Sequence, residues 1–358
     1  MPNLKELLTL MVTKNASDIH ITEGTPPQFR LDGTLVPLDG VAPYTAEEAR
    51  KICLETMSEE QIKRFDAEKE FDTAIAVPGV ARFRANLYYS KDSVSGAFRL
   101  IPFKIPPPEI LGIPPAAIEL SHLPRGLILV TGPTGSGKST TLASLVDLIN
   151  STRHEHILTV EDPIEFVHNH KKSFISQREI GRDSEGFAQS LKHVLRQDPN
   201  VILIGEMRDL ETIGAAITIS ETGHLVFATL HTNSAVQTIN RVIDVFPAHQ
   251  QPQIRTQLSF ILQGVLSQQL LPKINGGRVV ANEMMIPNHA IRNLIREDKV
   301  HQIYSQMQVG QVGSGMHTMN QCLAKLVKEQ QITWDMAFAR STDSEEFKRL
   351  CPIQNIRP

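Results

Sequence analysis

The nine residues Gly132-Pro-Thr-Gly-Ser-Gly-Lys-Ser-Thr140 constrain the fold of this chain more than any other stretch. They match the pattern G-x-x-x-x-G-K-[ST], between an apolar run at 126–131 and a segment at 141–150 with apolar residues at helical spacing. The glycines let successive backbone N–H groups close around phosphate oxygens, and the start of a helix adds partial positive charge. A strand, a glycine-rich turn and a helix in this order predict a nucleoside triphosphate site.

Two positions in this loop have specific expected roles. The ammonium group of Lys138 is expected to reach the β- and γ-phosphates, and the hydroxyl of Ser139 to bind Mg²⁺. The chain shows no motif that recognises a nucleotide base, so the sequence does not indicate whether the nucleotide carries adenine or guanine. The residues predicted to bind the nucleotide are Gly132, Pro133, Thr134, Gly135, Ser136, Gly137, Lys138, Ser139 and Thr140.

The chain divides at a proline-rich stretch. Prolines recur through residues 101–122, which predicts an extended, semi-rigid linker because proline interrupts helices and central strands. Residues 1–100 mix candidate strands and helices, which predicts a small α+β domain. Residues 281–358 are predicted to be a helical C-terminal region, with a mobile glycine-rich loop at 309–316.

Residues 123–280 alternate short apolar runs with stretches of helical spacing. Runs this short and continuous are typical of strands that are buried on both faces of a parallel sheet. In such a sheet the ligand binds at the carboxyl ends of the strands. The predicted strands are 127–130, 157–160, 201–204 and 225–230, and the predicted helices are 139–150, 185–197 and 209–221.

Acidic residues follow two of these predicted strands. In Thr159-Val-Glu-Asp-Pro163 the carboxylates stand where the strand ends, so either Glu161 or Asp162 is placed to polarise a water or to support Mg²⁺. A solvated acidic turn is the alternative, and the neighbouring phosphate loop makes it the less favoured one. In Ile202-Leu-Ile-Gly-Glu206 the glutamate stands where many phosphate-loop enzymes carry an aspartate that acts on Mg²⁺.

Histidines and arginines complete the set of candidates. His224 and His231 flank one predicted strand, and each is either an ordinary hydrogen-bonded residue or a sensor of the γ-phosphate. Seven positions apart along a strand, they are too distant to share one metal ion. Arg82 and Arg84 share one face of a predicted strand, and Arg99 lies on the next. Such a row is either a salt-bridged surface or a source of positive charge for a nucleotide across a domain or subunit boundary.

The composition narrows the possible partners. The 358 residues carry a net charge of −3, one Trp and four Tyr, whereas nucleic-acid-binding surfaces need a basic strip and stacking aromatics. We therefore expect no nucleic-acid partner, and a RecA-like nucleic-acid translocase is a disfavoured alternative. Three scattered cysteines indicate a reducing compartment, and the apolar runs are too short to span a bilayer. The expected location is cytoplasmic.

Four motifs, taken in their order along the chain, resemble those of the secretion ATPases, the motors of type II secretion, type IV secretion and type IV pili. They are the phosphate loop, the two acidic strand ends, and the histidine-containing stretch at 222–233. The segment Ala290-Ile-Arg-Asn-Leu-Ile-Arg-Glu297 is similar to the signature of the PilT-like pilus retraction ATPases, and Ser17-Asp-Ile-His-Ile21 is similar to that family's N-terminal motif. The resemblance spans about residues 4–340.

The resemblance implies a hexameric ring with ATP and Mg²⁺ as ligands. Each subunit would be an α/β protein, with a smaller α+β, PAS-like N-terminal domain, a RecA-like P-loop ATPase core and a helical C-terminal segment. Glu161 would activate water, Glu206 would be the Walker B acid at Mg²⁺, and His224 and His231 would be the histidine-box residues. One or more of the N-terminal-domain arginines would reach the nucleotide. Segment 290–297 would be needed for retraction while lying away from the phosphates.

Retraction is the favoured role within this family. Assembly and type II secretion ATPases usually carry a long N-terminal extension and a tetracysteine zinc insert, and this chain shows neither. The expected function is a homo-hexameric, ATP-hydrolysing motor that powers type IV pilus retraction and twitching motility. It would be peripheral to the membrane, docked on an inner-membrane pilus platform protein at the cytoplasmic face. A type II secretion or pilus-assembly ATPase is the alternative, and a regulator that binds ATP without hydrolysing it is disfavoured because both acidic strand ends are present.

Overall fold

The computed structural model describes residues 2–31, 33–101, 105–309 and 313–352 of a chain that forms two compact units. The first unit takes in the N-terminal part of the chain together with Pro163–Val167, and the second takes in the remainder. Parts of the predicted linker, of the predicted glycine-rich loop and of the predicted C-terminal region lie outside the described residues.

The first unit is built around an antiparallel sheet with the strand order β3-β2-β1-β6-β5-β4. Alternate residues of β5 are buried, which gives this sheet one apolar face, and the helices of the unit contribute to the same core. The elements are α1 (Leu4–Thr13), β1 (Asp18–Ile21), β2 (Gln28–Leu31), β3 (Thr34–Pro37), α2 (Ala46–Cys53), α3 (Glu59–Glu68), β4 (Glu70–Val77), β5 (Ala81–Ser90) and β6 (Ser93–Ile101).

Local sequence explains where the helices of this unit begin. α1, α2 and α3 each start with a capping box, in which the N-cap side chain binds the backbone of the third helical residue and that residue's side chain binds back. The N-cap residues are Asn3, Thr45 and Ser58.

The second unit contains a sheet with the strand order β13-β12-β7-β11-β10-β8-β9. Adjacent strands are parallel except for β12 and β13, and every residue of β7, β10 and β11 is buried. The strands are β7 (Gly126–Thr131), β8 (His156–Glu161), β9 (Phe174–Glu179), β10 (Val201–Ile204), β11 (Leu225–Leu230), β12 (Leu262–Pro272) and β13 (Arg278–Met285). The helices are α4 (Pro115–Leu120), α5 (Lys138–Thr152), α6 (Phe187–Val194), α7 (Leu210–Glu221), α8 (Ala235–Asp244), α9 (Gln251–Ile261), α10 (His289–Arg296), α11 (Ile303–Val309), α12 (Met319–Lys328), α13 (Trp334–Arg340) and α14 (Ser344–Leu350).

The structure corrects two of the predicted boundaries. The division proposed after residue 280 falls inside β13, so residues 281–285 belong to the core sheet. The second half of the predicted linker is not extended, because Pro115 occupies the first turn of α4, where proline is compatible with a helix. Ala117 and Leu120 of α4 are buried in the hydrophobic core of the second unit.

The order of the strands brings the candidate site to the carboxyl ends of neighbouring parallel strands. The chain passes from β7 through α5 to β8, which lies three strands away, and the intervening positions are filled by β11 and β10. Doubly wound sheets bind their ligands outside the carboxyl ends of such strands. No helix in the described ranges is long and apolar enough to cross a membrane.

Candidate active site

Four neighbouring parallel strands carry candidate residues at one edge of the sheet. The phosphate loop follows β7, His231 follows β11, Glu206 follows β10 after one glycine, and Glu161 is the last residue of β8. The strand registers align the ends of these strands. Leu230 pairs with Thr131, and Ile204 pairs with both Ala228 and Val160. The strands therefore deliver these side chains to the same edge.

The backbone of the phosphate loop depends on glycine. Gly132, Gly135 and Gly137 have φ angles of 142°, 79° and 90°, which side chains disfavour. A Cβ on Gly132 would lie 2.2 Å from the carbonyl oxygen of Gln268, so the loop also passes too close to β12 for any side chain there. The loop is packed against β12 in a conformation that other residues would not adopt.

The loop presents donors that suit an anion. α5 starts at Lys138 without a side-chain cap, so its first N–H groups and its positive dipole end point into the loop. The hydroxyl of Ser136 is buried and makes no hydrogen bond within the part of the chain that the structure describes. The ammonium group of Lys138 donates to the carbonyls of Gly132 at 2.8 Å and Pro133 at 3.1 Å, which holds it over the loop. Ser139 and Thr140, half-buried, occupy the first turn of α5. These groups fit a nucleotide phosphate.

Gln268 on β12 braces the phosphate loop and was not predicted from the sequence. Its side chain is buried, its amide N–H donates to the carbonyl of Ser136 at 2.6 Å, and its amide oxygen accepts from the hydroxyl of Thr141 at 3.1 Å. One side chain thus ties the loop to the first turn of α5. The signal that could have identified it is the polar run Ser267-Gln268-Gln269 between the apolar pairs Val265-Leu266 and Leu270-Leu271.

Glu206 lies between a guanidinium and an imidazole. One carboxylate oxygen is 2.8 Å from the guanidinium of Arg208, and the other is 3.2 Å from Nε2 of His231. Burial acts to raise the pKa of Glu206, but the interactions with Arg208 and His231 outweigh it and hold the pKa below its ordinary value. Glu206 is therefore stabilised as an anion beside the phosphate loop.

Glu161 accepts hydrogen bonds from a hydroxyl and from a side-chain amide. The hydroxyl of Thr159 donates to its carboxylate at 2.7 Å, and the amide of Gln177 on β9 donates to the same oxygen at 3.3 Å. Gly205 is packed closely against this residue, since a Cβ on it would lie 3.2 Å from the Cα of Glu161. Both acidic strand ends are thus parts of one tightly packed edge.

Comparisons with known proteins agree with this arrangement. The family described as type II/IV secretion system protein matches residues 116–343. The chain belongs to this family. It is similar to the type IV pilus retraction ATPase PilT of Pseudomonas aeruginosa, with 49% identity over 346 residues, 96% of this chain and 100% of the relative. It is also similar to a twitching motility protein of Neisseria gonorrhoeae, with 47% identity over 320 residues, 89% of this chain and 85% of the relative.

One solved structure of this secretion family extends the likeness to the whole fold. The crystal structure of the pilus retraction motor PilT with bound ADP shares 50% identity and a TM-score of 0.91, and the match covers 98% of this chain and 100% of that one. The predicted fold class, a RecA-like α/β core with a smaller α+β N-terminal domain and a helical C-terminal segment, is confirmed.

The two predicted histidines of this secretion-family chain lie at opposite edges of the sheet. His231 follows β11 and contacts Glu206, whereas His224 precedes β11 and hydrogen-bonds near the end of α7, to Thr222 and the carbonyl of Ile219. At about 3.3 Å per residue, seven residues of strand separate the two histidines by roughly 23 Å. The structure does not place His224 beside the phosphate loop of its own chain, and its role as a histidine-box residue stays a prediction.

The three predicted arginines lie in the first unit, on the face of its sheet away from the apolar core. Arg84 and Arg99 are directly paired across β5 and β6. Arg99 donates to Asp18 at 2.7 Å; burial would raise the pKa of Asp18, but hydrogen bonds from Ser17 and Arg99 outweigh it and lower the pKa. Arg84 has a longer ion pair, 3.9 Å to Glu165. That one of them reaches nucleotide stays a prediction for Arg82, Arg84 and Arg99.

Segment 290–297 forms most of α10 and contacts the amino-terminal edge of the sheet. The guanidinium of Arg292 donates to the carbonyls of Ser259 at 2.6 Å and Phe260 at 3.1 Å, at the end of α9. It also donates to the side chain of Gln263 at 3.2 Å, and Gln263 lies against the first residue of β7. The phosphate loop follows the other end of β7, so this segment contacts the opposite edge from the candidate site.

Proposed function

We propose that this chain is an ATP-hydrolysing motor that powers retraction of type IV pili. The observation that carries the proposal is the convergence of the phosphate loop, Glu206, His231 and Glu161 on one edge of a sheet whose fold matches that of PilT. PilT relatives are named for pilus retraction, and the likeness extends along nearly the whole chain. Hydrolysis with no chemical product beyond ADP and phosphate leaves mechanical work as the output.

Each residue at this edge has a role in the proposed reaction. The backbone of the loop and Lys138 bind the phosphates and neutralise charge that develops on them. Ser139 and Glu206 would hold Mg²⁺, which supplies positive charge to the β- and γ-phosphate oxygens when bound with nucleotide. Glu161 orients a water and accepts its proton. His231, through its contact with Glu206, is placed to respond when the γ-phosphate is lost.

The working form is proposed to be a homo-hexamer at the cytoplasmic face of the inner membrane, docked on a pilus platform protein. In such a ring, arginines from the first unit of one subunit would complete the nucleotide site of a neighbour, as phosphoryl-transfer enzymes often arrange. Specific activity should then rise with protein concentration as the ring forms. Equal activity from a persistent monomer would contradict this part of the proposal.

The test compares Lys138→Ala with Lys172→Ala, an exposed lysine away from the loop. Each variant is purified for ATP hydrolysis and expressed in a bacterial strain that lacks its own retraction motor. The rate of ATP hydrolysis by Lys138→Ala should be at least about 10²-fold lower than that of the parent, and this variant should fail to restore twitching. Lys172→Ala should keep the parent rate and restore twitching. Hydrolysis retained by Lys138→Ala would refute the site, and hydrolysis stimulated by single-stranded DNA would favour a translocase instead.

A further inference from the structure

Gln177, on the outermost strand of the sheet, contacts both Glu161 and the backbone of His168. Its amide N–H donates to the carboxylate of Glu161 at 3.3 Å, and its amide oxygen accepts from the backbone N–H of His168 at 2.8 Å. We infer that Gln177 is a positioning residue that sets the orientation of the Glu161 carboxylate for hydrolysis. This inference rests on the proposed role of Glu161.

The contact is reinforced by the register of the strands. Gln177 pairs directly with Thr159 across β9 and β8, and the hydroxyl of Thr159 donates to the same oxygen of Glu161. Two donors from neighbouring strands thus converge on one carboxylate oxygen. A carboxylate whose orientation is set by packed hydrogen-bonding partners is held closer to a productive geometry than one on a mobile turn.

The hydrogen bond from the backbone N–H of His168 fixes the orientation of the Gln177 side chain. Because its oxygen accepts from the backbone N–H of His168, the amide cannot rotate without losing this contact or the one to Glu161. Between Glu161 and His168 the chain runs through Pro163–Val167, the segment that belongs to the first compact unit. One side chain therefore binds the chain before and after this excursion.

The test is the pH dependence of single-turnover ATP hydrolysis, in which product release does not mask the chemical step. Gln177→Glu keeps an acceptor for His168 but places a second carboxylate beside Glu161. Like charge disfavours ionisation, so the acid limb of the pH–rate profile should move up by about 1 pH unit. The KM for ATP should stay unchanged because the phosphate loop is untouched. The control Gln253→Glu makes the same charge change on the exposed side of α9 and should leave the profile in place.

A second variant covers the case in which Gln177→Glu folds poorly. Gln177→Met keeps the length but removes both hydrogen bonds, so the single-turnover rate should fall by about 10-fold at unchanged KM. A rate within twofold of the parent would overturn the inference. So would an unmoved acid limb in a folded Gln177→Glu protein, provided that Glu161→Gln is inactive. An active Glu161→Gln would instead show that the proposed role of Glu161 is wrong.

Discussion

Two carboxylates stand at the ends of adjacent strands of this sheet, and their surroundings differ. Glu206, after β10, is paired with the guanidinium of Arg208 and the imidazole of His231. Glu161, at the end of β8, accepts from the hydroxyl of Thr159 and the amide of Gln177. The guanidinium of Arg208 places positive charge at Glu206, and Thr159 and Gln177 give Glu161 two donors that fix its direction.

The sequence does not decide which acidic residue supports Mg²⁺ and which accepts a proton from water. The different surroundings of the two carboxylates favour one assignment. The interactions with Arg208 and His231 lower the pKa of Glu206, so it stays an anion and is a poor proton acceptor. A persistent anion suits the support of Mg²⁺, and a carboxylate that neighbouring strands hold in one direction suits the transfer of a proton from water. We therefore favour Glu161 as the base and Glu206 as the Mg²⁺ residue.

The largest expected effect comes from removing the base. Glu161→Gln should lower kcat by about 10²–10⁴-fold, because general-base catalysis is lost while the phosphate loop is intact. Binding of a fluorescent ATP analogue, measured in parallel, should change little. Glu211→Gln, an exposed acid on α7, serves as the control. A fall in kcat of less than 10-fold would remove the distinction between the two carboxylates.

Removing the other carboxylate should give a smaller loss that depends on the metal. Glu206→Gln leaves Arg208 and His231 without their carboxylate and weakens support of Mg²⁺, so we expect kcat to fall by about 10²-fold at ordinary Mg²⁺. Titration with excess Mg²⁺ should recover part of the activity. A titration curve that overlays that of the parent protein would argue against a role at the metal.

The smallest effect should come from the partner of Glu206. In Arg208→Met the pKa of Glu206 should rise toward its ordinary value. Because the folded-state pKa is lowered, the ion pair stabilises the protein above the ordinary carboxyl range, and this contribution is lost as the pH falls through the lowered pKa. Arg208 is 69% exposed, so we expect a difference in unfolding free energy of only about 0.2–1 kcal/mol at pH 7.

Urea unfolding at pH 7 and near pH 3 measures this effect. The difference in unfolding free energy between parent and Arg208→Met should be present at the higher pH and shrink at the lower one. Arg196→Met, at another exposed arginine, should show no such dependence. An equal difference at both pH values would mean that Arg208 acts through packing and not through the charge of Glu206.

The elements that could be predicted are those whose pattern is complete within a few residues. The apolar runs at 127–130, 157–160, 201–204 and 225–230 are strands in the structure, and the helix after the phosphate loop starts at Lys138. These runs are buried on both faces, so their sequence is apolar throughout and easily identified.

The elements that could not be predicted are those whose polar residues find partners far away in the chain. β12 carries Ser267 and Gln268, which interrupt its apolar pattern and bind Thr131 and the phosphate loop, respectively. β9 carries Gln177 among other polar residues because it lies at the sheet edge next to Glu161. In both strands, the polar residues that interrupt the apolar pattern of a buried strand are the ones that contact the candidate site.

The sequence by itself determined that the chain binds a triphosphate on a strand, turn and helix, and that acids follow two nearby strands, because each of these is a local pattern. Only the tertiary structure decided which strands are neighbours, and with that which groups meet. It placed His231 on Glu206 and His224 at the far edge, and it brought Gln268 and Gln177 to the loop and to Glu161. The reason is that strand order and register join residues distant in sequence, and no local pattern contains them.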